Sequence, residues 1–96
     1  MVILEHLENG NAIAIATVGL NPQGIFYLSY FYVDISRRGE GVGTKLLARV
    51  NTVLNQTRVI GKTDIPRSER VQRFYEKNGW VKIPLSNTMR YTPQND

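Results

Sequence analysis

An α+β fold built on a mixed sheet is what this 96-residue sequence predicts, and three observations predict it. Strand-length apolar runs separated by turn signals fill its first third. A glycine-rich loop then leads into Val42, Leu46, Leu47, Val50, Val53 and Leu54, whose spacing is that of one helix face. A short strand, a second amphipathic helix and two more short strands follow, so one sheet must hold both parallel and antiparallel pairs.

Met1 to Leu7 reads as the first strand, and Glu8-Asn9-Gly10-Asn11 as a tight hairpin turn on the strength of its Asn-Gly pair. Ala12 to Gly19, rich in Ile and Val, is the second strand. Asn21-Pro22-Gln23-Gly24 has turn chemistry, with Pro early and Gly last. Ile25 to Ile35 is β-branched and aromatic throughout and too long for an ordinary strand, so it is expected to be bent or bulged. After the first helix, Arg58 to Thr63 is a strand parallel to the one before the loop. Asp64 to Ser68, with Pro66, looks like a helix start. The second helix turns Val71, Phe74 and Tyr75 inward and ends at Asn78-Gly79. Trp80 to Ile83 and Met89 to Thr92 form a closing hairpin, and Pro93 to Asp96 is expected to fray.

Residues 1–96 read as one domain, and a chain this short buries only roughly 60–65% of its unfolded surface. With no cysteine, disulfides, thiolate metal sites and a cysteine nucleophile are excluded; one histidine, His6, excludes a histidine-rich metal site, and no metal ligand set is expected. No apolar run approaches the roughly 20 residues that span a membrane, and the N-terminus lacks signal-peptide character. The expected setting is the cytoplasm of a bacterium or a phage-infected host. Twelve Lys/Arg against eight Asp/Glu give a net charge of +4, a modest excess that a phosphate-rich ligand or an acidic partner would explain. Nucleic acid is not expected as a direct ligand. Arg67, Arg70, Arg73 and Lys77 recur at helical spacing and read as a solvated helix face.

The loop from Val33 to Thr44 carries the chemistry. Glycines at 39, 41 and 43 let a ligand approach the backbone, and the helix start supplies free N–H groups and a positive dipole end, an anion seat suited to phosphate. Three kinds of phosphate loop compete. A nucleotide P-loop needs Gly-Lys-Ser/Thr, and here Gly43 is followed by Thr44-Lys45, the wrong order. A dinucleotide fingerprint nearly fits Gly39-x-Gly41-x-x-Thr44, with Asp64 downstream. Yet its strand should come first in a long doubly wound sheet, which this chain cannot hold.

The third is Arg38-x-x-Gly41-x-Gly43, which resembles motif A of the GNAT acetyltransferase superfamily, whose loop seats the pyrophosphate of coenzyme A. Val71 to Trp80, with Phe74-Tyr75-Glu76-Lys77 and Gly79-Trp80, is similar to that family's motif B. The two occur in the family's order, and the resemblance spans roughly Ile25 to Thr92. It implies a compact GNAT-like fold: antiparallel N-terminal strands, then β-loop-α-β-α with splayed central strands. It implies acetyl-CoA as cofactor and direct acetyl transfer to an amine.

By the same resemblance, the pantetheine arm lies along Phe31, Tyr32 and Val33, and the backbone of Gly39, Glu40, Gly41, Val42, Gly43 and Thr44 holds the pyrophosphate. Arg38 takes the motif's cationic position, with Arg37 and Lys45 adding charge nearby. The Val33 N–H polarises the thioester carbonyl, and Tyr75 is the general acid toward the coenzyme sulfur. Ser68 stands where many members have an asparagine that touches the cofactor; it is shorter and also suits a helix cap. No glutamate lies on the central strands, so Asp64 is the carboxylate left to act as base. Asp34 is expected to make a local turn contact, and Tyr27, Tyr30 and Tyr32 could line a water chain. Typical members carry a further N-terminal strand and a pair of helices over the acceptor side. An open acceptor site is therefore expected, suited to a protein lysine or N-terminus, with a second copy or a host protein supplying the missing wall. The alternative is a coenzyme A-binding regulator without catalysis that acts by binding protein.

Overall fold

The computed structural model describes residues 1–94. In chain order these form β1 (Val2–Glu8), β2 (Asn11–Leu20), β3 (Phe26–Val33), a 3-10 turn (Ile35–Arg37), α1 (Val42–Thr57), β4 (Gly61–Asp64), α2 (Glu69–Lys77), β5 (Val81–Lys82) and β6 (Thr88–Tyr91). One six-stranded sheet runs in the order β1-β2-β3-β4-β6-β5, with β3–β4 its parallel pair. The mixed α+β architecture expected from the sequence is therefore present, with its closing hairpin.

Alternation explains the layering. Ala14, Ala16 and Val18 of β2 are buried on one face with Leu28 of β3, and onto them pack Val42, Leu46, Leu47, Val50 and Leu54 of α1. Leu46 and Leu47 are 0% exposed, so truncating either to alanine costs about 2–5 kcal/mol. Val53, the remaining member of the expected stripe, is half-buried. Trp80, Met89 and Tyr91 close the far end of this core. The Trp80 indole N–H donates to Asn51 Oδ1 on α1 at 3.0 Å, so its one polar atom is satisfied. On the opposite sheet face Ile3, Tyr30 and Tyr32 are exposed, and among the described residues no helix covers them.

Several expected boundaries shift for local reasons. β3 stops at Val33 rather than Ile35, because Asp34 caps the 3-10 turn by accepting Ser36 N–H at 2.9 Å and Ser36 Oγ–H at 2.7 Å. The expected strand at Arg58 begins only at Gly61. Arg58 instead takes the left-handed C-cap of α1 at φ 59°, and its N–H goes to the Leu54 carbonyl. Asp64 ends β4 rather than starting a helix; Ser68 is the N-cap of α2. Val71 is 40% exposed, not inward, because the aromatic rings that support α2 (Phe31, Tyr75, Trp80) lie under its second half. Of the tail expected to fray, Gln94 is tied down by its N–H to Asn55 Oδ1 at 2.9 Å; Asn95 and Asp96 lie outside the described residues.

Candidate functional site

The glycine loop forms an open cradle. Gly39 and Gly41 take φ values of 85° and 82°, where L side chains are strained, and a Cβ built on either meets nothing within 4 Å. Both therefore face free space. Gly41 is the N-cap of α1 without a side-chain cap, and the first helical bond is Lys45 N–H to the Gly41 carbonyl at 3.1 Å. Among the described residues no protein acceptor takes the N–H groups from Gly39 to Thr44. Unpaired donors, a dipole end and glycines facing empty space fit a diphosphate.

Both arginines beside the cradle are engaged elsewhere. Arg37 is clasped by Glu8 at 2.6 Å and Glu40 at 2.9 Å, and these two carboxylates hold its guanidinium above its ordinary value. That clasp ties the loop to the first hairpin and corrects the expectation that Arg37 adds free charge. The Arg38 Nε–H donates to the Val33 carbonyl at 3.0 Å, and its guanidinium lies 5.4 Å from the Tyr32 ring centre. Arg38 thus braces the loop against β3. The Asp34 carboxyl is held below its usual range, first by the Ser36 hydroxyl and then by the Ser36 N–H.

A bulge decides what β3 offers. Thr17 pairs with Tyr30 but Val18 with Leu28, so Ser29 is an extra residue on β3, the irregularity its length called for. Before the bulge, Phe26 N–H reaches the Ile60 carbonyl and the Leu28 carbonyl accepts from Thr63 Oγ, so even-numbered peptide groups face β4. After it, Asp34 N–H goes to the Ile13 carbonyl, which puts the even-numbered peptide groups on the β2 side. Those of Phe31 and Val33 then face the opposite way. The β3–β4 pairing consists of Phe26↔Gly61 and Tyr27↔Lys62, so beyond Leu28 the two strands part. Phe31 and the Val33 N–H present a free edge to that gap, the Val33 carbonyl being taken by Arg38, while Tyr32 turns its backbone toward β2. Thr63, which the sequence reading missed, closes the apex: its buried hydroxyl bonds Leu28 where main-chain pairing stops.

Tyr75 lines this gap. Its ring is 5% exposed and packs edge-on against Phe31 at 6.1 Å between centres. No described residue hydrogen-bonds its hydroxyl, and no buried side-chain polar atom lacks a partner, so that oxygen opens to the surface. Burial alone pushes its pKa up to about 12. Asp64, at the C-terminal end of β4, is exposed and accepts the Tyr27 hydroxyl. That bond is the leading reason the Tyr27 pKa rises to about 12, ahead of burial and the carboxylate charge. Ser68 Oγ accepts the Val71 N–H at 3.4 Å and is occupied as the α2 cap. Gly43 sits at the junction of the three elements, a Cβ there falling 3.4 Å from both Phe74 Cζ and Val33 Cγ2.

The sequence profile of the acetyltransferase (GNAT) domain matches residues 2–82 of this chain. No curated protein sequence matches it. Among solved structures, a GNAT-family acetyltransferase from Staphylococcus aureus Mu50 superposes with a TM-score of 0.81 at 17% identity, covering 96% of this chain and 67% of the other. The ribosomal-protein-S18-alanine N-acetyltransferase of Escherichia coli gives 0.81 at 16% identity, covering 99% and 70%. The PaiA N-acetyltransferase of Thermoplasma acidophilum, solved with coenzyme A, gives 0.79 at 16%, covering 95% and 60%. At these identities the likeness is one of fold, and the chain spans 60–70% of the length of these three.

Proposed function

The chain belongs to the GNAT acetyltransferase family, and from that premise we propose that it moves an acetyl group from acetyl-CoA directly to an amine, a lysine or N-terminus of a protein. Bound acetyl-CoA supplies the thioester; everything else comes from this chain. The N–H groups of Gly39, Glu40, Gly41, Val42, Gly43 and Thr44 hold the diphosphate. Phe31 and Val33 bond the pantetheine arm as an added strand, Tyr32 bracing them through Arg38. The Val33 N–H would polarise the thioester carbonyl of the bound cofactor. Tyr75 keeps a proton on Oη at every physiological pH, available to the departing thiolate. Asp64, steadied by Tyr27, takes the proton of the acceptor amine. Ser68 contributes through the helix cap that orients α2 rather than by touching the cofactor.

One observation carries this reading: unpaired loop amides and a buried, protonated tyrosine flank the same gap between β3 and β4. The uncovered sheet face bearing Tyr30 and Tyr32 supports a macromolecular acceptor, with a second copy or another protein seated against it. Among the described residues no helix is long and apolar enough to cross a membrane, and we place the reaction in the cytoplasm. Thiol release from acetyl-CoA in the presence of a protein extract tests the reading, with Tyr75→Phe expected to abolish most of it. Against it stands the coenzyme A-binding regulator, favoured by the Tyr27 bond that already occupies Asp64. Wild-type protein that binds coenzyme A but releases no thiol and labels no protein would establish that alternative.

A further inference from the structure

The gap between β3 and β4 has two mouths, and the helices occupy one of them. Phe74 and Tyr75 of α2 meet Phe31 and the Gly43 turn of α1 on the helix-covered face. The other mouth opens on the uncovered face of the sheet, and alternation puts Asp64 there. Gly61 and Thr63 of β4 are buried on the α1 side, so Lys62 and Asp64 point the opposite way. Register extends that face sideways. Lys62 stands beside Tyr27 of β3 and directly across from Arg90 of β6, whose neighbours Met89 and Tyr91 are buried in the core. Tyr30 and Tyr32 follow on β3, their rings stacked at 6.4 Å between centres, with the Arg38 guanidinium over Tyr32.

Neither Lys62 nor Arg90 makes an ion pair among the described residues. Asp64 is bonded by Tyr27. Glu5 of β1, on the same face, lies three strands from Lys62, about 14 Å at ordinary strand spacing. The mouth therefore carries a charge pattern: a carboxylate at the gap, then adjacent cations two residues back along β4, about 7 Å away. A ligand that answers it places a cation at Asp64 and negative charge one or two residues from that cation.

We propose that the protein acceptor enters by this mouth as an acidic segment, its amine at Asp64 and its flanking carboxylates received by Lys62 and Arg90. Tyr30 and Tyr32 form the apolar bed beside it. The proposal rests on the transfer reading above and names the acceptor's chemistry. Its test uses labelled peptides in which one lysine is flanked by glutamates, by glutamines or by arginines. Thiol release gives kcat and KM, and fluorescence anisotropy with coenzyme A present gives Kd without requiring turnover. Wild type should favour the glutamate peptide over the glutamine peptide by roughly 3-fold to 30-fold in KM and Kd, with kcat little changed. That preference should shrink as salt rises. Lys62→Gln/Arg90→Gln should lose it while keeping the coenzyme A affinity of wild type. Kd values equal within twofold across the three peptides, or a preference that survives in the variant, overturn the proposal. So does a single-stranded RNA that displaces the glutamate peptide at lower concentration than polyglutamate of equal charge, which would make the face a nucleic-acid surface. The expected preference in Kd without thiol release from any peptide would support the docking surface and sink the transfer reading alone.

Discussion

Replacing Gly41 by aspartate and, separately, by asparagine isolates the charge that the cradle is built to accept. Both residues must enter the left-handed region at φ 82°, at a cost of about 1–2 kcal/mol. Neither meets protein, since a Cβ there has nothing within 4 Å. Aspartate also gains about 0.3–1 kcal/mol from the helix dipole, so it should fold at least as well as asparagine. Against a bound diphosphate the two diverge. A carboxylate about 4 Å from one phosphate charge costs about 1 kcal/mol in water and about 4 kcal/mol at an effective dielectric of about 20. The loop is exposed, so the penalty falls between those limits, about 5-fold to 1000-fold in Kd. Calorimetry with coenzyme A on both variants reads that ratio, and it should shrink as salt rises. Equal affinities within twofold, at unchanged melting temperatures, would refute the idea that diphosphate sits over Gly41.

Four further outcomes are expected. Tyr75→Phe should lower thiol release by roughly 10²–10⁴-fold with little change in coenzyme A affinity; unaltered turnover would remove Tyr75 from the chemistry. The same variant bears on pH: below pH 10 folded and unfolded chains both keep this phenol protonated, and stability is flat. Between pH 10 and about 12 only the folded chain keeps it, so Tyr75 should account for about 2.7 kcal/mol of the stability that wild type loses over that range, the part absent from Tyr75→Phe in urea melts, while the share from Tyr27, raised likewise, persists in both. For Asp64→Ala and Tyr27→Phe, a double-mutant cycle on turnover should be strongly non-additive, the tyrosine change mattering only while the carboxylate is present. Additive effects would reduce Tyr27 to packing. Gly61→Ala should destabilise by about 1–3 kcal/mol, because its methyl would lie 2.5 Å from Leu54 Cδ1 and 3.1 Å from Trp80 Cη2; Trp80 fluorescence in denaturant would reveal a neutral change if that is wrong.

Local chemistry made much of this protein legible from its residues. Hydrophobic period distinguished strands from helices, Asn9-Gly10 marked the hairpin, and the glycines before Val42 marked an anion seat, because each depends on neighbours within a few positions. Tyr75 was found through the residues around it, Phe74 and Glu76-Lys77, which match a motif. What arises between distant segments was not legible. Tyr27 and Asp64 are 37 positions apart, beyond the reach of any local rule, and Thr63 meets Leu28 across 35. Nothing in either neighbourhood marks them as partners. The Arg37 clasp depends on Glu8 coming back across the first hairpin. Whether Lys62 and Arg90 stand side by side depends on β6 folding back onto β4. The side on which Phe31 and Val33 offer their peptide groups turns on one extra residue, Ser29, in a pairing with β2. A chain's sequence carries its periods and turns directly, because those energies are short-ranged. Register, strand parting and the meeting of charges exist only once the sheet has closed around its core.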